Sequence, residues 1–462
     1  MRGFFIVFHL VLASTRREHV FNPALLPMTD VELRIDARWV LPIEPAGLLH
    51  QHSLLVREER IVAIVPTALA ERDYAAREHV ALPTHVLLPG LVNAHTHAAM
   101  SLLRGVADDV PLEAWLEQAI WPREGRFVDA DFVYDGTLLA AAEMLQGGIT
   151  CCNDMYFFPD AAARAYRASG MRAMLGLPIL DFPTPYAADA DGYLHAGLAA
   201  RDAWKHEPRL LFSLAPHAPY TVADATWTKI VIFARQLDLA IQTHLLETRH
   251  ERTKSLAEHH LAPLQRLHRL GVTGPGFIAI HAVDVDPTDI DLLSTQRCHV
   301  VHCPTSNLKL ASGIAPIAAL KRAGVNVALG SDGPASNNRL DVFAEARLAS
   351  LIAKVAGNDA AALPAADVLR MATLGGATAL GMENDIGSLE PGKQADVIAV
   401  DLSGLSHAPC YDPESHLVHV TGRDQVSDAW IAGERLLADG MLTRLDCNEL
   451  ASRARFWQDR LQ

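Results

Sequence analysis

Cysteine is scarce in this chain of 462 residues. There are six, and no two are spaced as a CxxC pair. They are Cys151, Cys152, Cys298, Cys303, Cys410 and Cys447, and most of them sit in apolar runs. That excludes a disulfide framework and leads us to expect buried free thiols in a reducing, cytoplasmic compartment. Positive charge is also short: the formal net charge is -14. Such a balance argues against nucleic acid or an acidic membrane as partner. No stretch is apolar for long enough to span a bilayer. A glycine-rich phosphate loop is missing, as are repeats and low-complexity tracts. Half the residues are apolar and a fifth are charged, the composition of a globular protein.

The first residues look like a short export signal, Met1-Arg2-Gly3 followed by an apolar run from Phe4 to Ala13. That run contains His9 and leads into Arg16 and Arg17. We read residues 1–28 as an extension ahead of the fold, with Met28 standing just before the first patterned strand.

Residues 31–41 alternate polar and apolar, as a half-buried strand does. Ser53 to Val65 adds a pair of short strands turning at Glu58-Glu59-Arg60. From Val86 the rhythm changes. Eight short apolar runs alternate with helical stretches: Val86–Ala94, Gly148–Asn153, Met171–Ile179, Leu210–Ala215, Leu239–Thr243, Phe277–Ile280, His299–His302 and Val325–Leu329. Eight strand–helix units predict an α/β fold, a (β/α)8 TIM-like barrel whose site lies at the C-terminal ends of the strands. A helical piece from Ala365 to Leu380 follows, then strands at Ala395–Asp401, Val418–Thr421 and Val426–Leu437. The expected organisation is therefore a small β-sandwich built from both chain ends (29–85 and 384–445), a barrel inserted at 86–383, and a C-terminal helix at 446–462.

The first barrel run ends in Asn93-Ala94-His95-Thr96-His97. Residues i and i+2 of a strand share a face, so His95 and His97 aim two imidazoles the same way. Neutral imidazole is a common ligand for zinc or iron. Later runs place more donors on the same rim: His217 after the fourth, His244 at the fifth, His281 at the sixth and Asp332 after the eighth. His95, His97, His244 and Asp332 make a nitrogen-rich site with one carboxylate, suited to Zn(II) or Fe(II) with a position left open. Glu247 lies three residues beyond His244, close enough to move a proton without binding the metal. His217 faces the same mouth. His299 and His302 read as core residues, and His250, His259, His260 and His268 as a solvated face.

With these residues in place, the chain resembles the amidohydrolase superfamily. The shared residues are PGLVNAHTH at 89–97, the His244–Glu247 pair, His281, Asp332 in SDG, and GSLEPGKQADVIAVD at 387–401. More narrowly it resembles the 5′-methylthioadenosine/S-adenosylhomocysteine deaminases, through MSLLRG at 100–105, PLEAWL at 111–116, IWP at 120–122 with Glu124, APHAPY around His217, and SNLKL at 306–310. The resemblance implies a metal held by His95, His97, His244 and Asp332, most simply Zn(2+). Glu124, His217, Glu247 and Asp332 would bind substrate, with Glu124 on the ribose hydroxyls. Glu247, His281 and Asp332 would be catalytic: Glu247 protonating the ring nitrogen, His281 orienting the attacking water, Asp332 acting as base. The reaction implied is hydrolysis of the 6-amino group of a purine nucleoside, releasing ammonia. Two-metal barrels of this type carry a bridging lysine on strand four; Leu214-Ala215-Pro216-His217 offers none, so one divalent metal is expected. Guanine or 8-oxoguanine deamination and s-triazine hydrolysis are the alternative activities, and a metal-free interaction scaffold is a remote one. The preferred 5′ substituent and any homo-oligomer are left open. Because proline disfavours helix in the residue before it, Pro122 leads us to expect Glu124 in a loop over the barrel mouth.

Overall fold

The computed structural model describes residues 28–461. The reading of residues 1–28 as an extension therefore falls, apart from Met28, outside the described residues. Among the described residues the strands form two eight-stranded sheets. Four come first: β1 (Thr29–Val40), β2 (Leu49–Arg57), β3 (Arg60–Pro66) and β4 (Tyr74–Pro89). The barrel follows with β5 (Leu91–Thr96), β6 (Ile149–Met155), β7 (Arg172–Ile179), β8 (Leu210–Pro216), β9 (Ala240–Leu245), β10 (Phe277–His281), β11 (His299–His302) and β12 (Asn326–Leu329). The chain ends with β13 (Val397–Asp401), β14 (Val426–Ile431), β15 (Glu434–Ala438), β16 (Met441–Leu442) and a helix at Cys447–Leu461.

Strands β5 to β12 pair in sequence order, all parallel where their pairing is resolved, with helices between them. Every residue of β6 and β7 is buried, as expected for strands covered on both faces. The second sheet runs β16-β15-β14-β13-β4-β1-β2-β3. Strand β4 joins the two chain ends, pairing β1 on one side and β13 on the other. Leu33, Ile35, Leu54, Val56, Val397 and Trp430 form this unit's own core. A buried ion pair ties the two sheets together: Arg172 donates from Nε to Asp396 Oδ2 at 3.0 Å and from Nη2 to Oδ1 at 3.1 Å.

Three sequence expectations need correction. The run Val86–Ala94 is not one strand. It divides at Gly90, with Val86–Pro89 in the composite sheet and Leu91 onward in the barrel. A Cβ at residue 90 would fall 2.0 Å from Thr150 Oγ1, so only glycine lets the chain cross here. Val418–Thr421 is not a strand either: helix Pro413–His419 covers its start, capped by Asp412, whose side chain accepts from Glu414 N. The thiols are all free, but Cys447 is exposed and Cys410 half-buried.

No ladder joins β12 to β5. Bonds between β5 and the segment that follows β12 cross that gap instead: Asp332 N to His95 O at 3.0 Å, Ser331 N to Asn93 Oδ1 at 2.8 Å, and Asn93 Nδ2 to Ser331 Oγ at 2.7 Å. Below the site a satisfied polar layer spans the barrel. Gln242 and Asn153 exchange amide bonds at 2.7 and 2.8 Å, and Gln242 also donates to Ser213 Oγ. No helix among the described residues is long and apolar enough to cross a membrane.

Candidate metal centre and substrate cavity

The strand ends converge as their spacing requires. His95 Nε2 and His97 Nε2 each lie 3.3 Å from Asp332 Oδ1, and His244 Nε2 lies 3.3 Å from His97 Nε2. Two donor sets, His95–His97–Asp332 and His95–His244–His281, each fall within 4.8 Å. His281 thus stands closer to the metal donors than a substrate-side role alone would require.

The rings are aimed by their other nitrogens. His97 Nδ1 faces Met155 O, and His244 Nδ1 faces His217 O at 2.7 Å. A carbonyl only accepts, so each Nδ1 carries the hydrogen. Burial lowers the His97 imidazole, but the Asp332 carboxylate outweighs it and raises it above its ordinary value, and loss of the Nε2 proton leaves a lone pair facing the centre. His281 is held the same way by Asn307 Oδ1 at 2.8 Å. Both ring nitrogens of His95, fully buried, have no hydrogen-bond partner among the described residues. Lone pairs facing one another at 3.3 Å repel, and a buried ring with no partner is costly. A divalent cation resolves both, and imidazole nitrogen with one carboxylate is a donor set that zinc or ferrous iron accepts. Such orienting bonds are the usual surroundings of ligating histidines.

Asp332 sits at φ 61°, a strained value for a non-glycine residue. Ser306 Oγ and Ser336 Oγ donate to its Oδ2 at 2.6 and 2.8 Å, and Gly333 N to its Oδ1 at 2.8 Å. Burial opposes its charge, but the adjacent His95 and His97 hold the carboxyl well below the usual range. Burial pulls His95 and His217 down to about 4 and His244 well below its ordinary value. These imidazoles are neutral at physiological pH, the form that ligates.

A cavity of about 580 Å³ opens onto these residues, a size that holds a nucleoside. Met100, Leu116, Trp121, Phe157 and Phe182 give it apolar walls, and among the described residues no lysine or arginine lines it. Glu247 and His281 share its floor, with Glu247 Oε2 3.7 Å from His281 Nε2. Burial raises the Glu247 carboxyl above its ordinary range. His217 also lines the cavity, its Nδ1 3.1 Å from Thr221 Oγ1.

Glu124 reaches the cavity from a helix, not from the expected loop. Helix Trp121–Phe127 continues directly from a wider, π-helical stretch at Trp115–Ile120. Pro122 lacks an N–H, and at the first turn after such a widened stretch that lack is tolerated. Glu124 is buried, and burial raises its carboxyl. Tyr156 donates to its Oε1. Sequence reasoning missed Tyr156, Asn307, Ser306 and Ser336. For Tyr156 a signal existed: it follows β6 directly, as His217 follows β8. His302 is buried core and His250, His259, His260 and His268 are exposed, as expected, while His299, expected in the core, is half-buried.

Comparison with known proteins places this geometry. The Amidohydrolase family matches residues 86–436, and the chain belongs to that family. Within it, the chain is similar to a 5-methylthioadenosine/S-adenosylhomocysteine deaminase of Teredinibacter turnerae, 48% identical over 434 residues, 94% of this chain and 98% of the relative. The enzyme of the same name from Saccharophagus degradans is 46% identical over 435 residues, 94% of this chain and 98% of the relative. A crystal structure of an adenosine deaminase from Xanthomonas campestris with bound zinc superposes with a TM-score of 0.93 at 48% identity, covering 94% of this chain and 99% of that one.

Proposed function

We propose that the chain hydrolyses the 6-amino group of adenosine-type nucleosides, such as 5′-methylthioadenosine, S-adenosylhomocysteine or adenosine, to the inosine analogue and ammonia. One observation carries the choice of a nucleoside over a free base. A buried carboxylate, Glu124, is braced by Tyr156 in an otherwise apolar wall of the cavity that ends at the histidine cluster. A carboxylate can accept from two adjacent hydroxyls at once, and ribose offers such a pair.

His95, His97, His244 and Asp332 would hold one divalent metal, zinc by the donor set. When bound it supplies a Lewis acid that lowers the pKa of water. The fourth barrel strand, Leu210–Pro216, has no lysine with which to bridge a second ion. The rest is done by the chain's own groups. Glu124 fixes the ribose, and the aromatic walls exclude water from the purine. His281, oriented by Asn307, hydrogen-bonds the incoming water. Asp332 takes a proton from that water as its oxygen adds to C6. Glu247, its carboxyl raised by burial, delivers a proton to the ring nitrogen N1. Asp332 passes the proton it took to the departing nitrogen, the C6–N bond breaks and ammonia leaves, while the hydroxyl proton at C6 returns to Glu247 as the carbonyl of the inosine analogue forms. His217 contacts the base edge. The unpaired thiols suit a cytoplasmic setting.

An ammonia-release screen tests this reading. The panel is adenosine, 5′-methylthioadenosine, S-adenosylhomocysteine, adenine, guanine and an amino-s-triazine. A 6-aminopurine nucleoside should give the highest kcat/KM. Guanine or the triazine turning over fastest would overturn the assignment while leaving the metal centre in place.

A further inference from the structure

Thr248-x-x-Glu251 has the form of a capping box at the start of helix Arg249–His259. Half of it is made: Thr248 Oγ1 accepts from Glu251 N at 3.4 Å. In the usual box the glutamate would return to the N–H of the capping residue itself. Here Glu251 passes Thr248 by, and its Oε2 accepts from the N–H of Glu247 at 3.1 Å. The Leu246 N–H is directed at the same carboxyl.

These two peptide units need holding. Leu246 has φ 51°, a left-handed conformation unfavourable for leucine. On its other side Leu246 O accepts from Val283 N and Asp284 N, both at 2.9 Å. Those amides follow His281 and Ala282, which are left-handed too, at φ 73° and 47°. The ends of β9 and β10 are thus locked to each other by backbone bonds from one side and by the Glu251 carboxyl from the other. The locked segment sets Glu247 against His281. Helix capping alone needs no carboxyl that is 4% exposed and leaves Oε1 without a partner.

We propose that Glu251 is a positioning residue for Glu247, holding the 246–247 backbone so that the Glu247 carboxyl meets the substrate ring nitrogen. The inference rests on the reading of Glu247 as the proton carrier. Burial pushes the Glu251 carboxyl up to about 8, with the two backbone N–H groups pulling the other way. At neutral pH it is therefore mostly the uncharged acid, and glutamine has the same shape and the same acceptor.

The test is a double-mutant cycle on zinc-loaded protein with adenosine as substrate. E251A should lower kcat about tenfold or more, a modest misplacement on the scale of effects from lost alignment. KM should change less than kcat and metal content stay unchanged, since Glu124, His217 and the metal donors are untouched. E251Q should restore kcat to within about threefold of wild type. Hydrogen exchange at the Leu246 and Glu247 amides should quicken in E251A and return to normal in E251Q. In an E247Q background, E251A should change kcat by less than about twofold, because a residue acting through Glu247 has nothing left to act on. Should E251A fail to fold, E251D, one methylene too short, is scored in the same way. The inference is overturned if the change at 251 costs the same factor in both backgrounds, if it leaves kcat intact, or if it acts through lost metal. E247Q turning over normally would instead sink the reading of Glu247; an inactive E247Q with additive behaviour sinks this inference alone.

Discussion

The Tyr156 hydroxyl lies 2.7 Å from Glu124 Oε1, donating to a carboxyl that burial raises and this hydrogen bond pulls back down. An aromatic and an acidic side chain from successive barrel units thus meet at the cavity wall, and on the proposed reading they make one acceptor for a diol. Charge-assisted hydrogen bonds contribute roughly 1.5–3 kcal/mol each. Glu124→Ala should therefore lower kcat/KM for adenosine or 5′-methylthioadenosine by roughly one to two powers of ten. Tyr156→Phe should cost less, about threefold to tenfold, because it removes a brace and leaves the acceptor. A 2′-deoxynucleoside should be a poor substrate for the wild type and lose less in Glu124→Ala. Steady-state kinetics on the two substrates checks all three; a silent Glu124→Ala contradicts the nucleoside reading.

Glu247→Gln keeps the volume and removes the proton. We expect kcat to fall about 10²-fold or more, the range of general acid–base catalysis, with metal content per chain unchanged. Metal analysis beside turnover separates this outcome from a damaged centre.

Among the described residues, no lysine or arginine stands in the cavity wall. A 5′-phosphate would enter it unpaired, so AMP should react far more slowly than adenosine, by about 10²-fold or more in kcat/KM if one desolvated charge goes unmatched. Parallel assays of the two at one salt concentration decide it. Equal rates would require a cation the cavity does not show.

Glu345 supports the Asp332 loop from behind, accepting from Asn337 Nδ2 at 2.7 Å and from Thr305 N at 3.0 Å. Burial raises its carboxyl to about 7. A folded pKa above the unfolded one means stability is complete below the unfolded value and is lost as pH rises toward 7. The loss is on the order of 3 kcal/mol from this one group. Glu345→Gln cannot ionise, so its Tm relative to wild type should rise between pH 5 and pH 8. A flat difference across that range would show that the carboxyl is not protonated in the folded state.

The site was more legible in the sequence than the path leading to it. His95, His97, His244 and His281 each end an apolar run, and a run of known length fixes where its last residue emerges. Glu124 was misplaced because a proline rule for a regular helix does not cover one that follows a widened turn. The break at Gly90 was invisible because both halves of the run are buried, and burial on both faces erases any period. What reveals it is the partner strand, and pairing is not written locally. Helix Pro413–His419 was readable: Asp412 and Pro413 are a cap and a first-turn proline, but the apolar Val418-His419-Val420 outweighed them. Asn307 and the two serines on Asp332 could not be assigned, because a hydrogen-bond partner is known only once two distant segments meet.

The buried pair Arg172–Asp396 sits at the start of β7, at the opposite end of the barrel from the site. Asp396→Ala would strand a guanidinium that is 2% exposed, a change that costs roughly 3–5 kcal/mol. Thermal unfolding should show the loss, while kcat per folded molecule should hold, since conservation of geometry at the catalytic rim does not depend on this end.

The barrel is a hoop with one clasp. Its staves are laddered everywhere except between β12 and β5, and His95 and Asp332 stand on either side of that joint. An ion gripped by both would pull the hoop shut, so its affinity and the closure of the barrel are one quantity measured two ways. Asn93 makes no hydrogen bond to a donor atom of the centre, yet it bridges the joint to Ser331. Loosening it with Asn93→Ala should weaken zinc binding from a distance, and stripping the zinc should let the hoop part at this joint before any other.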